Sequence, residues 1–254
     1  FTNVRPHLRR ARTAGAILAL AWLALPGAAR AQLSARPTLL AFDEATDRVV
    51  TVRNEGPTAI QVHILPGDFD QFETGGHEFR PFGEHPRTCH GRLEVTPDQA
   101  VIDPGAETTV RVRLDPGAQA CWGVVYAEHR PEPVAGAARA VRRIAIQVHG
   151  TPATIERDAR VRDVEVAGGV IRFSFENLAD AHLRPEGRVE FRTLDGGLVG
   201  NVRVEPFGVL PGHTRTMRFP LPAGLPAGEL LAVPILDFGV DWLAGGQAMF
   251  EHEG

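Results

Sequence analysis

The stretch that decides the fold runs from Arg92 to Glu128, RLEVTPDQAVIDPGAETTVRVRLDPGAQACWGVVYAE. Within it, Thr109-Val110-Arg111-Val112-Arg113-Leu114 alternates apolar and polar residues, the period-two pattern of a strand with one wet face. Asp103-Pro104-Gly105 and Asp115-Pro116-Gly117 flank it, and both read as tight turns. Proline presets φ at the second turn position, and glycine accepts the positive φ that follows. The next run, Cys121-Trp122-Gly123-Val124-Val125-Tyr126, is β-branched and aromatic, as suits a strand buried against a facing sheet. Strands and tight turns so closely spaced are the pattern of a β-sandwich.

Upstream, Pro37 to Phe42, Arg48 to Asn54 and Ala59 to Leu65 read as three further strands, and Ala140 to His149 as the last of seven. Pro66 to Gly91 is left as a long segment rich in Gly, Pro, Phe and His. A segment of that length in a compact domain is either functional or hides a short strand pair. Its Phe69, Phe72, Phe79 and Phe82 are expected to cap one end of the sandwich, with a ligand groove as the other reading.

The chain is 254 residues long, 43% apolar and 23% charged, enough to bury a large core. Residues 1–31 have the layout of a cleaved signal peptide. Arg5, Arg9, Arg10 and Arg12 precede an apolar run from Ala14 to Leu25, and Ala29-Arg30-Ala31 carries small residues at the cleavage positions. The run is short for a permanent span, and no later segment reads as a membrane helix. The mature chain is expected to begin at Gln32 in the periplasm or at the cell surface. Five of the 27 basic residues, all arginine, lie in the leader and no acid does; that leaves 22 against 31 acids, a net charge of −9. Nucleic acid, bound through phosphate neutralisation, is excluded as a partner on that ground.

Two cysteines, Cys89 and Cys121, in an exported chain suggest a disulfide, worth about 3 kcal/mol by chain entropy. Two free thiols, or a metal site with His77, His85 and His90, are the alternatives, but the His/Cys spacing matches no ligand set of known geometry. No metal and no cofactor is expected.

Three segments together carry a family resemblance: the strand ending Ala41-Phe42-Asp43, Val50-Thr51-Val52-Arg53-Asn54-Glu55-Gly56, and Val101-Ile102-Asp103-Pro104-Gly105-Ala106-Glu107-Thr108-Thr109-Val110-Arg111-Val112. They resemble the N-terminal immunoglobulin-like domain of PapD-type periplasmic pilus chaperones. The resemblance implies capping of pilus subunits by a donated edge strand whose alternating apolar side chains fill the subunit's groove. Ala140 to His149 has that pattern: Ile144, Ile146 and Val148 on one face, Arg143, Ala145 and Gln147 on the other. Either the aliphatic row faces a partner, with Arg142 and Arg143 fixing register on a client carboxylate, or it faces the domain's own core. The resemblance also implies basic anchors for a client's terminal carboxylate on the first and last strands. This sequence has Leu39 and Thr151 there, with Arg36, Arg142 and Arg143 nearby.

After Gly150-Thr151-Pro152 the pattern starts again. Ala159 to Val166 alternates, Val170 to Asn177 ends on an asparagine as Arg48 to Asn54 does, and turns such as Leu210-Pro211-Gly212 separate five later strands. The region from Phe175 to Gly187, with Val209 to Gly212, resembles immunoglobulin-like domains of exported bacterial surface proteins, including those associated with WxL proteins. His182 and Arg184 have no nucleophile or second histidine at a useful spacing, so His182 reads as a turn cap.

The sequence thus predicts an all-β chain: a signal peptide (1–31) and two tandem immunoglobulin-like antiparallel β-sandwiches (32–150 and 151–254). No Gly-x-Ser-x-Gly, His-Glu-x-x-His or phosphate loop is present, and a non-enzymatic role is expected. Two roles compete: a periplasmic chaperone-like protein binding β-rich surface or pilus subunits by edge pairing, and a structural or adhesive surface module.

Overall fold

The computed structural model describes residues 33–43, 46–115, 117–131 and 141–254; the expected leader, Pro116 and most of the Pro131–Ala138 loop lie outside them. Described residues from Leu33 onward belong to one compact unit with no helix. In chain order the first half holds β1 (Leu33–Arg36), β2 (Leu39–Phe42), β3 (Asp47–Asn54), β4 (Ile60–Gln71), β5 (His77–Arg80), β6 (Leu93–Thr96), β7 (Gln99–Ile102), β8 (Glu107–Leu114), β9 (Cys121–His129) and β10 (Arg142–Gly150). The second holds β11 (Ala159–Ala167), β12 (Val170–Asn177), β13 (Glu186–Thr193), β14 (Leu198–Val204), β15 (Thr214–Pro220), β16 (Gly228–Asp237), β17 (Ala244–Gly245) and β18 (Ala248–His252).

Each half is a two-sheet sandwich. The first stacks β1-β3-β8-β6 on β2-β10-β9-β4-β5, with β7 also on β4; the second stacks β11-β12-β15 on β14-β13-β16-β17, with β18 also on β16. The tandem immunoglobulin-like sandwiches read from the sequence are the fold. Every described strand pair is antiparallel except β2 with β10. The leading strand is split at Pro37, which has no N–H to give a ladder. β1 stays with β3, while β2 crosses to the other sheet and runs alongside β10.

The alternation in β8 works as read: Val110, Val112 and Leu114 are buried in the first core, while Arg111 and Arg113 face solvent. The Asp103-Pro104-Gly105 turn has Gly105 at φ 72°, and Ala106 N–H donates to the Asp103 carbonyl across 3.0 Å. β9 is an unbroken apolar run because both its faces are covered. Cys121, Val125 and Ala127 enter the first core; Trp122, Val124 and Tyr126 lie on the opposite face against Phe69 and Leu210.

The segment left open at Pro66–Gly91 hides a strand pair. β4 continues through Pro66-Gly67, and its Asp68–Gln71 end pairs with β5 as a hairpin. Gly67 is required there, since a β-carbon would come within 2.6 Å of the Tyr126 ring. The four phenylalanines do not form one cap: Phe69 is buried, Phe82 packs on the first core, and Phe72 and Phe79 are exposed. Beyond them, Cys89 and Cys121 are joined, Cα–Cα 5.2 Å, with both sulfurs in the first core. That pairing excludes Cys89 as a metal ligand.

Candidate partner-binding site

β10 is paired along its whole length on one side only. Arg142 through Gly150 match His129 through Cys121 of β9. On the other side β2 covers only Gln147–Gly150, and the stretch Arg143–Ile146 has no strand beside it among the described residues. The Gln147 N–H donates to the Thr38 carbonyl, 2.9 Å, and so points away from β9. Successive residues of a strand alternate in direction, so the Ala145 and Arg143 N–H groups point the same way, into the uncovered edge.

The side chains of β10 divide differently from the partner-facing expectation. Ile146 and Val148 are 1% and 0% exposed and belong to the first core; Ile144 is half-buried against it. The aliphatic row therefore serves this sandwich, because β10 must bury one face against the opposing sheet to be held there at all. Ile144 alone of the three keeps part of its surface at the open edge.

Arg142 opens the strand half-buried, and Arg143 is engaged rather than waiting for a carboxylate. Its guanidinium lies 4.4 Å from the centre of the Tyr126 ring and donates through Nε to Glu128, 2.6 Å. Glu128 is fully buried on β9 and also accepts from Arg130. Burial would push the Glu128 carboxyl up; the hydrogen bonds from Arg143 and Arg130 outweigh that and hold it below its usual range. One buried carboxylate thus ties the last residues of β9 to the first of β10 and fixes the start of the open edge.

Behind this sheet, the β4–β5 hairpin reaches the second sandwich. The Gln71 side chain donates to the Gly208 carbonyl (3.1 Å) and accepts from Leu210 N–H (3.2 Å). Thr216 N–H of β15 donates to the Glu73 carbonyl at the hairpin tip, 2.8 Å. His213 Nε2 sits 2.6 Å from Asp70, and Arg87 pairs with Asp180 at 3.2 Å. His182 is not a turn cap: its ring lies against that of His149, centroids 4.1 Å apart and tilted by 45°, while Asn177 donates to the turn carbonyl of Ala181. The Leu39 and Thr151 positions are structural too, Leu39 opening β2 opposite Gln147 and Thr151 donating its N–H to Phe42. Sequence reasoning missed Asp70, Gln71 and His149 as joint residues; only the His-rich composition of the Pro66–Gly91 segment hinted at them.

No protein-family model matches the sequence, and no curated protein does. Among solved structures, the chain is similar to one from a chaperone–tip adhesin complex of CFA/I fimbriae biogenesis, with TM-score 0.52 and 13% identity over 86% of this chain and 98% of that one. It is also similar to the class 5 fimbriae chaperone CfaA, with TM-score 0.51 and 13% identity over 85% and 98% of the two chains. The two-sandwich fold of these fimbrial chaperones is the fold of this chain.

Proposed function

We propose that this chain is a non-catalytic chaperone-like protein of the periplasm that binds β-rich surface or pilus subunits by pairing a client strand with β10. The observation that carries this reading is the half-covered strand: Arg143–Ile146 offers outward N–H and C=O groups beside a fully paired neighbour. An unpaired sheet edge recruits another strand unless it is blocked by charge, proline or cover. Here Ala145 presents no blocking charge, and Arg143 is drawn back onto Glu128 and Tyr126. The client's gain is main-chain hydrogen bonding along the edge, with Ile144 supplying apolar contact.

The similar structures support the reading, since both are of fimbrial chaperones and one is of a complex with a tip adhesin. We take 32–150 and 151–254 as the two domains, because the two large cores share no residue. The test is co-purification. The tagged chain, recovered from a periplasmic extract of its own source, is expected to bring a β-rich subunit in one-to-one ratio. Recovery of the chain alone, with such subunits present in the extract, rejects the chaperone reading.

A further inference from the structure

The joint between the sandwiches is built on histidine to an unusual degree for a buried surface. His149, at the end of β10, is 4% exposed, and neither ring nitrogen has a hydrogen-bond partner among the described residues. The ring meets Phe69 of β4, centroids 6.1 Å apart, and His182 of the second sandwich, centroids 4.1 Å apart with the two planes tilted by 45°. His182 is itself wedged against Gly208, where a side chain would come within 2.7 Å of Nε2. No carboxylate lies within 4.0 Å of either ring among the described residues; the close His–acid pairs are those of Asp70 with His85 and His213.

The charges around the pair make protonation costlier still. His77 of β5 faces His149, and Arg184 faces His182. Beyond His182 opens a cleft of about 400 Å³, also lined by Arg157, Glu186 and Asp237. Its two acids offer a cation solvent-side compensation only once the rings separate.

We propose that this joint is an acid-opening latch: protonation of the contacting His149–His182 pair parts the two sandwiches while each stays folded. Two imidazolium rings cannot remain in contact in a site with no carboxylate beside them among the described residues, and separation puts both into water. The open form therefore binds protons that the closed form refuses.

The sign and window follow from linkage. Burial, with Arg184 adding to it, lowers His182 from an ordinary value of 6.5 to about 4. Burial, with His182 and His77 adding to it, holds His149 well below its usual range. A lowered histidine leaves the closed state at full strength above pH 6.5. The closed state weakens as pH falls from there towards 4, since only the open form takes up protons in that window. The opening equilibrium shifts by up to tenfold per pH unit for each ring that titrates. Asp70 opposes early opening. Burial would raise its carboxyl, yet bonds from His213 and the Gln71 N–H hold it below its ordinary value, so this contact survives through the window.

The experiment is small-angle X-ray scattering of the whole chain from pH 7.5 to 4, with far-UV circular dichroism on the same samples. Wild type is expected to increase in radius of gyration with a midpoint between 6.5 and 4, its β signal unchanged. The double variant His149→Phe/His182→Phe keeps an aromatic ring at both positions and cannot take a proton; it is expected to stay compact to pH 4. His182→Phe alone covers the case in which the double variant does not fold, and must move the midpoint to lower pH. No expansion of wild type by pH 4, an identical transition in every folded variant, or loss of the β signal in step with expansion each overturns the latch.

Discussion

Asn54 and Asn177 hold the same place in the two sandwiches and make the same bonds. Asn54 Nδ2 donates to the carbonyls of Thr58 (2.8 Å) and Ile102 (2.9 Å), and its Oδ1 accepts from Gly56 N–H (2.9 Å). Asn177 Nδ2 donates to Ala181 (2.8 Å) and Val209 (2.9 Å), and its Oδ1 accepts from Ala179 N–H (2.9 Å). The backbone carbonyl of each also receives a turn glycine, Gly105 in one case and Gly212 in the other. Both residues are fully buried. Each asparagine satisfies a loop that would otherwise bury unpaired backbone groups.

Replacing either asparagine by alanine orphans two carbonyls and an N–H. Asn54→Ala and Asn177→Ala are each expected to cost about 2–4 kcal/mol. Urea unfolding checks this, and a cost near zero at both positions would show that water replaces the amide.

Ile146 belongs to the core, so Ile146→Asp is expected to unfold the first sandwich by burying a charge without a partner. The milder Ile146→Ala is expected to cost about 2–5 kcal/mol. Ile144→Ala, at a half-buried position, is expected to cost clearly less. Thermal unfolding followed by circular dichroism ranks the three.

The Cys89–Cys121 bond closes a separation of 32 residues between the loop after β5 and the start of β9. The double variant Cys89→Ala/Cys121→Ala is expected to lose roughly 3–4 kcal/mol in the chain-entropy account. Thiol titration of unfolded, unreduced wild type is expected to find no free sulfhydryl.

Glu128 gives a second, lower pH window. Its carboxyl, held below the usual 4.5 by Arg143 and Arg130 against the opposing pull of burial, contributes stability that is complete above 4.5 and is lost as pH falls through its folded value. Glu128→Gln is expected to remove that dependence and to speed amide exchange at Ile144, whose N–H faces β9. Hydrogen exchange at pH 6 against wild type reads the clamp directly.

The parts of the molecule legible in the sequence were those set by local periodicity. Val110, Val112 and Leu114 in β8, and the strand Val170–Asn177, announce their buried faces by alternation alone, and the Asn54/Asn177 match was visible as two strands ending alike. Pro66-Gly67 misled because it is a turn signal in most contexts. Here the glycine is needed for close passage over Tyr126, a contact 59 residues away that no local pattern shows. The aliphatic row of β10 was seen, but its facing depends on which sheet lies beneath it. The joint was invisible because Asp70 and His213, or His149 and His182, meet only through the docking of two sandwiches.

The uncovered edge of β10 is tested most directly by Ala145→Pro. The Ala145 N–H points away from β9, so proline there removes an edge donor and leaves the β9 ladder intact. Far-UV circular dichroism and the melting temperature of the variant are expected to match wild type closely. Co-purification from the same periplasmic extract is expected to lose the β-rich subunit that wild type retains. A folded Ala145→Pro protein that still carries its subunit in full yield would contradict edge pairing through β10.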